Sequence, residues 1–352
     1  MSYLQPLPRL CGATAATLHQ FRSTQAPFLG LSLFKRPYSS STSTNDKTQN
    51  QQQRQPRFKP SDRLSGRTCM ITGATSGIGH AIADRFLQEG AERIILVGRS
   101  QQRLVDAAAR LGESPEGVVT GNGSDEILAT RAPEDDQQES MGIGLSEGRK
   151  VSFFVGDVSE SGSWVRELEE SMKDVDILIN SAGISTTNIL ARTDPHVITQ
   201  TLRTNLEGAI LTSRALLRAA IRSRSKNRGF TTEIPSKCII NISSLLAHKG
   251  GTGAVPYAAS KAGVLGLTRS LAVEAASSLR GVAIRSNAIV PGYINTPMIA
   301  NFRESEKTRL QDEIPLGRFG DPYEIADAAV FLAQNEYANN CILNIDGGLS
   351  AV

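Results

Sequence analysis

The sequence predicts an α/β protein with a doubly wound, parallel sheet of seven strands in a single domain. From residue 66 onward, short runs of β-branched residues alternate with segments of helical periodicity, which is typical of a parallel sheet with helices on both faces. A glycine-rich loop follows the first strand and opens the first helix. The 352 residues, 39% hydrophobic and 21% charged, are enough for one such domain with appendages.

The predicted elements alternate regularly along the chain. Strands are expected at residues 67–72, 94–98, 151–157, 176–180, 237–243, 283–289 and 341–345. Helices are expected at residues 78–89, 101–111, 160–172, 195–223, 256–278, 304–312 and 322–333. The carboxyl ends of parallel strands meet at one edge of the sheet, where folds of this kind bind ligands.

Two segments precede the predicted domain of residues 64–352. Residues 1–38 contain four basic residues and no acid, which is the composition of a mitochondrial transit peptide, and the sequence RPYSS at 36–40 resembles a matrix-protease cleavage site. A generic disordered tail is the alternative. Residues 39–63, with a glutamine run at 51–53, are expected to form a disordered linker.

Two further segments interrupt the alternation of strands and helices. Residues 112–148 contain nine acidic residues and one arginine, so a disordered surface loop without a catalytic role is expected. Residues 218–228 contain five basic residues. A solvated helix end is the ordinary interpretation of such a run, and a docking surface for an acidic partner is the functional one.

The composition argues against several classes of protein. No run of about eighteen apolar residues occurs, so no membrane span is expected. The four cysteines are scattered without a CxxC pair or a histidine cluster, so no metal site is expected and a reducing compartment fits. No basic stripe interleaved with aromatic residues occurs, and nucleic-acid binding is not expected.

The sequence TGATSGIG at residues 72–79 joins the first strand to the first helix. The backbone amides of such a loop, and the positive end of the helix that it opens, can hold a pyrophosphate. Ordinary strand-to-helix turns also use glycines. The motif indicates a pyrophosphate-binding loop because it lies in the first β-α unit. Asp157 and the NSAG turn at residues 180–183 follow later strands and are expected at the same edge.

The end of the second strand distinguishes between the nicotinamide nucleotides. A carboxylate there would hold the ribose 2′-hydroxyl of NADH, whereas a guanidinium would accommodate the 2′-phosphate of NADPH. The chain has Arg99 and Ser100 at this point and no acid, so NADPH is expected, with NADH as the alternative. Ser76 departs from this pattern, because many NADPH enzymes carry a second basic residue there. An exposed arginine at a helix start is the ordinary interpretation of Arg99.

Ser244, Tyr257 and Lys261 carry the predicted chemistry. The spacing Tyr-x-x-x-Lys puts the phenol and the ammonium on one face of a helix, about one turn apart. An ammonium beside a phenol favours the phenolate, so a group whose ordinary pKa is about 10 can exchange a proton near neutral pH. Ser244, at a strand end, could hydrogen-bond a carbonyl oxygen that is being reduced. Ser243 is the alternative hydroxyl, but the spacing to Tyr257 favours Ser244.

The chain resembles the classical short-chain dehydrogenase/reductase family over residues 64–352. The motifs that carry the resemblance occur in family order: TGATSGIG, the DV pair at residues 157–158, NSAG in place of the commoner NNAG, TNLEG, NISS, YAASKAG, PGYINTPM and IDGG. The resemblance implies a Rossmann-type fold and hydride transfer with a nicotinamide cofactor. It also implies a homotetramer or a partner subunit, packed through the helices that carry Asn205 and Tyr257.

The resemblance further implies a role for each site residue. Tyr257 would be the general acid in reduction, and Ser244 would orient and polarise the carbonyl. Lys261 would lower the pKa of Tyr257 and hold the nicotinamide ribose, while Asn205 would position a water that relays protons to Lys261. The expected cofactor-binding residues are Gly73, Thr75, Ser76, Gly77, Ile78, Gly79, Arg99, Ser100, Asp157, Val158, Asn180, Ala182, Gly183, Tyr257, Lys261, Pro291, Gly292, Ile294 and Thr296.

Within the family, the stretch around YAASKAG, the GRFG at 317–320 and the C-terminal IDGG are most similar to 3-oxoacyl-[acyl-carrier-protein] reductases. This similarity implies NADPH-dependent reduction of a 3-oxoacyl thioester, held by acyl-carrier protein or CoA, in fatty-acid synthesis in the mitochondrial matrix. Arg222, Arg224 and Arg280 could form a basic patch for the acidic carrier protein. Dehydrogenases of hydroxyacyl-CoA, steroids, sugars and other secondary alcohols share every catalytic motif and are the alternative. The complete Ser, Tyr, Lys and Asn set argues against a catalytically weak scaffold subunit.

Overall fold

The computed structural model describes residues 61–112, 143–144, 150–160, 164–226, 236–278, 283–300 and 302–352. The predicted transit peptide at 1–38 lies outside the described residues. So do the predicted linker at 39–63, except for its last three residues, and most of the acidic segment at 112–148.

The described residues form one sheet of eight strands. Their bounds are β1 Thr68–Thr72, β2 Arg93–Gly98, β3 Ile143–Gly144, β4 Val151–Val155, β5 Ile177–Asn180, β6 Lys237–Ile242, β7 Ile284–Pro291 and β8 Ile342–Ile345. The strands lie in the order β3-β4-β2-β1-β5-β6-β7-β8. All neighbours except β3 and β4 pair in parallel, which confirms the predicted doubly wound sheet of seven parallel strands.

The strand β3 is the element that the sequence analysis did not expect. It lies inside the acidic segment, and it pairs antiparallel with β4 through Ile143 to Phe154 and Gly144 to Phe153. The outer edge of β4 offers unpaired backbone groups, so a two-residue run can bind there without strong strand propensity of its own. The prediction of a loop is therefore wrong for these two residues.

Eight α-helices accompany the strands in the described part of the chain. Their bounds are α1 Gly77–Gln88, α2 Gln101–Arg110, α3 Trp164–Ser171, α4 Pro195–Leu202, α5 Gly208–Lys226, α6 Val255–Ser278, α7 Glu304–Glu313 and α8 Pro322–Gln334. The single helix predicted at 195–223 is instead two α-helices joined by a π-helical turn at Arg203–Glu207. Among the described helices, none is long and apolar enough to cross a membrane.

The sheet separates two apolar cores, as expected for parallel strands that are covered on both faces. The successive β1 residues Met70 and Ile71 are fully buried and belong to opposite cores. On one side Ile71 shares a core with Phe86 of α1, and on the other Met70 shares a core with Trp164 of α3. Both faces of the central strands are therefore filled, and the strand ends remain for binding.

A buried charge cluster fixes the C-terminal end of α1. Glu89, directly after α1, is fully buried, and it forms ion pairs with Arg85 and Arg63. The Nε of Arg63 donates to Glu89 Oε2 at 2.6 Å. The hydrogen bond from Arg63, with those of Ser61 and the charge of Arg85, lowers the pKa of Glu89 to about 2. The cluster ties the segment before β1 to the helix that starts at the glycine loop.

We expect Glu89→Gln to lower the free energy of unfolding by about 3 kcal/mol or more, because it removes the carboxylate that compensates a buried guanidinium. Urea unfolding at pH 7 measures the change. Since the folded pKa of Glu89 is about 2 and its ordinary value is 4.5, its stabilisation is complete above about pH 4.5 and declines as the pH falls toward 2. The difference in the free energy of unfolding between the wild type and Glu89→Gln should become smaller as the pH falls over that range.

The matched control is Glu313→Gln, which removes an exposed ion pair with Arg309 one helical turn away. Exposed ion pairs contribute little to stability, so the free energy of unfolding of this variant should fall by less than about 1 kcal/mol. An equally small loss for Glu89→Gln would contradict the importance of the buried cluster.

Candidate active site

The glycine loop after β1 has a backbone that only glycine adopts easily. Gly73 and Gly77 have φ values of 68° and 59°, in the left-handed region. A Cβ on Gly73 would lie 2.7 Å from the Cα of Ala182. The loop therefore packs directly against the NSAG turn that follows β5, and no side chain fits between them.

The start of α1 leaves its backbone amides open to a ligand. Ser76 is the N-cap residue, but its side chain makes no capping hydrogen bond, and the first turn of α1 contains no acid. A Cβ on Gly77 would lie 3.3 Å from Cγ2 of Thr296, so the loop faces the segment after β7 across a narrow gap. Unpaired amides at a helix start suit an anionic group, and this arrangement fits the pyrophosphate of a nicotinamide nucleotide.

The NSAG turn is held by a hydroxyl that the sequence analysis did not single out. Thr72 Oγ1 accepts hydrogen bonds from the backbone amides of Ser181 at 3.1 Å and Ala182 at 3.2 Å. The side chain of Asn180 points away from this turn, because it is buried and donates to Asn241 Oδ1 at 2.8 Å. The side chain of Asn180 therefore anchors β5 to β6, and the predicted contact of Asn180 with the cofactor stays a prediction.

The carboxyl ends of β2 and β4 bring Arg99 and Asp157 together. The two side chains approach to 3.8 Å, and Arg99 remains 60% exposed. Asp157 Oδ1 accepts a hydrogen bond from the backbone amide of Ser159 at 2.9 Å, which fixes the carboxylate. Val158 is buried, and a Cβ on Gly208 would lie 2.9 Å from it, so this predicted cofactor-binding residue packs against α5.

Ser100, also predicted to bind the cofactor, is the N-cap residue of α2. Its hydroxyl accepts a hydrogen bond from the backbone amide of Arg103 at 3.4 Å. This bond starts α2 directly after Arg99 and fixes the direction in which the helix leaves the strand end.

The two serines after β6 have different partners. Ser243 is buried, and its hydroxyl donates to the backbone carbonyl of Lys261 at 2.8 Å. The half-buried Ser244 instead shares a hydrogen bond with the phenol of Tyr257. The geometry favours Ser244 as the hydroxyl that meets a substrate.

Tyr257 lies on the first turn of α6, and burial raises its pKa, with the hydrogen bond to Ser244 acting in the opposite direction. Lys261 lies one turn further on, with its Nζ 5.8 Å from the centre of the phenol ring. The net direction for Tyr257 is upward, so the predicted lowering of its pKa by Lys261 stays a prediction.

Lys261 is almost fully buried, with 5% of its surface exposed. Its Nζ donates to the backbone carbonyl of Ile242 at 2.8 Å, at the end of β6. Burial lowers the pKa of Lys261 to about 8. The ammonium is therefore held at the strand end, and it loses its proton more readily than an ordinary lysine.

Asn205 lies in the π-helical turn between α4 and α5, a local irregularity that is frequent at functional sites. Its side chain accepts from the Ile184 amide at 2.8 Å and donates to the Ile184 carbonyl at 2.9 Å. It also donates to Ser260 Oγ at 3.0 Å. These bonds occupy the side-chain amide, so the role of Asn205 in holding a water stays a prediction.

Gly183 shows how closely these groups are packed. A Cβ at this position would lie 3.3 Å from Asn205 Oδ1 and 3.4 Å from Lys261 Nζ. The end of the NSAG turn therefore lies beside both predicted catalytic residues. The chain brings the glycine loop, Asn205 and the Tyr257 and Lys261 pair to one edge of the sheet.

The segment after β7 borders the same site. A Cβ on Gly292 would lie 2.8 Å from the Cα of Asp346, so the PGYINTPM and IDGG motifs are in contact. Ile294 is buried and forms an isolated parallel bridge with Gly320, which brings the GRFG motif to the same place. Pro291 ends β7, and Thr296 follows at the gap in front of Gly77.

The side-chain partners of the site were the part that sequence reasoning missed. Thr72, Ile184 and Ser260 hold the NSAG turn and Asn205 in place. Thr72 and Ser260 lie inside the glycine-loop and YAASK motifs, so their places in these motifs were the available signal. Ile184 acts through its backbone, for which residue type gives no signal.

Two family models match the chain. A model described as short chain dehydrogenase matches residues 67–125, and one described as Enoyl-(Acyl carrier protein) reductase matches residues 126–350. Together the matches span the glycine loop, the Tyr257 and Lys261 pair and the C-terminal IDGG motif.

Several curated proteins are similar over nearly their whole length. The 3-oxoacyl-[acyl-carrier-protein] reductase of Bos taurus is 33% identical over 283 residues, 80% of this chain and 98% of that protein. The enzyme of the same name from Homo sapiens is 30% identical, over 81% of this chain and 99% of that protein. The 3-oxoacyl-[acyl-carrier-protein] reductase FabG of Thermotoga maritima is 32% identical, over 82% of this chain and 99% of that protein.

Solved structures with the same fold include proteins assigned as sugar-acid dehydrogenases. A protein of Beutenbergia cavernae assigned as an NAD(P)-dependent gluconate 5-dehydrogenase, with bound NADP at low occupancy, matches with a TM-score of 0.64 and 28% identity, over 84% of this chain and 100% of its own. An Agrobacterium tumefaciens protein assigned as a 2-deoxy-d-gluconate 3-dehydrogenase also has bound NADP. It matches with a TM-score of 0.62 and 28% identity, over 84% of this chain and 99% of its own.

Proposed function

The chain belongs to the short-chain dehydrogenase/reductase family, and from that premise we propose that it uses NADPH to reduce the 3-oxo group of an acyl thioester. The observation that carries the proposal is the meeting of Ser244, Tyr257 and Lys261 beside the glycine loop. The similar 3-oxoacyl-[acyl-carrier-protein] reductases supply the substrate class.

The residues of the site divide the work of reduction. The nicotinamide cofactor, when bound, supplies the hydride. Ser244 can donate a hydrogen bond to the substrate carbonyl oxygen, and Tyr257 can deliver the proton to the same oxygen. The raised pKa of Tyr257 keeps the phenol protonated at neutral pH, which suits a general acid. Lys261, held by the Ile242 carbonyl, places a positive charge beside the phenol as the oxygen gains electron density.

Arg99 supports the choice of NADPH over NADH. It is exposed at the end of β2, and the first turn of the following helix α2 contains no acid to repel a phosphate. We expect Arg99→Asp to shift the preference toward NADH by about tenfold or more, because a carboxylate repels the 2′-phosphate and accepts the 2′-hydroxyl. The ratio of kcat/KM for NADPH and NADH measures the shift, and an unchanged ratio would refute this role of Arg99.

A cluster of arginines on α5 supports an acidic partner such as a carrier protein. Arg214, Arg218 and Arg222 all form ion pairs with the carboxylate of Glu169, and each guanidinium remains about half exposed. Three positive charges around one nearly buried carboxylate leave this surface positive. The side chains of Arg224 and Arg280, also predicted for this patch, lie outside the described residues.

The mitochondrial matrix remains part of the proposal on sequence grounds. Residues 1–38 have four basic residues and no acid, the composition of a transit peptide. Import of the full chain into isolated mitochondria, followed by N-terminal sequencing of the product, tests this. A new N-terminus near residue 39 would support targeting to the mitochondrial matrix, and an unprocessed chain outside the mitochondria would refute it.

A dehydrogenase of a sugar acid or another secondary alcohol is the second candidate. The observation in its favour is the match to solved structures assigned as gluconate dehydrogenases, which share the fold and hold NADP. The same Ser, Tyr and Lys group would then act on a free alcohol.

Nicotinamide absorbance with a panel of substrates separates the two candidates. The panel contains acetoacetyl-carrier protein, acetoacetyl-CoA, simple ketones and gluconate, each with NADPH or NADH or their oxidised forms. Rapid NADPH oxidation with the carrier-protein substrate, weakened by salt, would support the reductase and its docking surface. A preference for the free alcohol or ketone would favour the second candidate.

A further inference from the structure

A cavity of about 380 Å³ lies between the glycine loop and α2. It is lined by Thr75, Ser76, Gly77, His80, Arg103, Asp106 and Arg110. The loop residues belong to the predicted cofactor site, whereas the three residues of α2 were not singled out by the sequence analysis. The cavity therefore extends the nucleotide site onto a helix to which no role has been given.

The cavity lies beside the strand end that carries Arg99. A Cβ on Gly98 would lie 3.2 Å from Cγ2 of Thr75, so the end of β2 and the glycine loop are in contact. Arg103 lies in the first turn of α2, where its amide donates to Ser100. Arg103 therefore follows Arg99 by one helical turn, and it lines the same cavity as Ser76.

The charge in this cavity is positive. Arg103 and Arg110 share the wall with one carboxylate, that of Asp106, which accepts a hydrogen bond from Gln102 at 2.9 Å. His80 adds little charge at neutral pH, because burial and the nearby Arg110 lower its pKa. An anion entering the cavity would therefore meet more positive than negative charge.

The two arginines of α2 have different surroundings. Arg110 Nη2 donates to the carbonyl of Thr75 at 2.7 Å, so this guanidinium supports the glycine loop. Within the described residues, the guanidinium of Arg103 makes no hydrogen bond or ion pair, although it lines a cavity. Arg103 is thus the cation of this cavity that can bind a ligand without giving up an existing contact.

We propose that this cavity receives the 2′-phosphate of NADPH, and that Arg103 supplies the second cation that Ser76 lacks. The proposal rests on the NADPH dependence proposed above. A phosphate dianion between Arg99 and Arg103 would have a guanidinium on each side, and the Ser76 hydroxyl could donate to it. In this assignment Arg103 determines cofactor specificity, and Arg110 positions the loop.

Fluorescence titration of the full-length protein with NADPH and with NADH tests the proposal, since the two ligands differ only in the 2′-phosphate. We expect Arg103→Gln to weaken NADPH binding about tenfold and to change NADH binding less than twofold. Arg103→Lys should recover part of the discrimination, because it keeps the charge. Arg110→Gln should weaken the binding of NADPH and of NADH to the same extent, because it removes the hydrogen bond that supports the glycine loop.

Arg93→Gln is the matched control, because Arg93 opens the same strand at the opposite edge of the sheet. It should leave both dissociation constants unchanged. Equal weakening of NADPH and NADH by Arg103→Gln, or no weakening of either, would overturn the proposal. The titration involves no acyl substrate, so a chain that shows the expected discrimination but reduces no thioester would refute the proposed reaction alone.

Discussion

Tyr257→Phe should reduce turnover by at least about a thousandfold, because it removes the proton donor and leaves the ring in place. Cofactor affinity should change little, since the variant keeps the aromatic ring, Lys261 and the glycine loop. Steady-state NADPH oxidation with acetoacetyl-CoA measures the loss, and fluorescence titration measures the affinity.

Tyr337→Phe is the control for this change, because Tyr337 is 98% exposed and follows α8. It should retain full activity. If Tyr257→Phe kept more than a few per cent of wild-type turnover, Tyr257 could not be the general acid.

Lys261→Met should reduce kcat/KM for NADPH by about a hundredfold or more. The change removes the charge at the end of β6 and the donor to the Ile242 carbonyl, while it keeps most of the side-chain volume. Lys173→Met removes an exposed ammonium just after α3 and should have no effect on kcat/KM. A Lys261→Met variant that binds and oxidises NADPH normally would contradict this role.

The pH dependence gives an independent test of Lys261. Its pKa is about 8 in the folded protein, below the ordinary value of 10.5, so the required ammonium is present below pH 8 and is lost as the pH rises through it. The raised pKa of Tyr257 keeps the phenol protonated over the same range. We therefore expect kcat/KM for NADPH to fall above about pH 8, since this parameter reports groups of the free enzyme. The fall should be absent from the residual activity of Lys261→Met.

Much of the fold and site could be predicted because the informative residues are local in sequence. Gly73 and Gly77 identify the glycine loop in the sequence, because their left-handed backbone conformations exclude most other residue types. Tyr257 and Lys261 are brought together by one turn of a helix, and the parallel strands carry Asp157 and Gly183 to the same edge. Helical periodicity and strand order are enough to place these groups near one another.

The remaining features depend on contacts between distant segments. The π-helical turn at Asn205 adds a local irregularity that a search for helical periodicity does not register. Asn180 opens the NSAG motif, and the sequence does not indicate that its side chain forms hydrogen bonds with Asn241 of β6 and Thr212 of α5. The cavity at Arg103 arises only where α2 meets the glycine loop.

The most direct test of the central claim is the fate of the hydride. The full-length protein is incubated with acetoacetyl-carrier protein and NADPH that carries deuterium at the transferable position of the nicotinamide, and the product is analysed by mass spectrometry. The account predicts a 3-hydroxybutyryl thioester with one deuterium at C3, formed by the wild type and not by Tyr257→Phe. A thioester that stays unreduced, while the same protein transfers deuterium to a free ketone or sugar acid, would contradict the account.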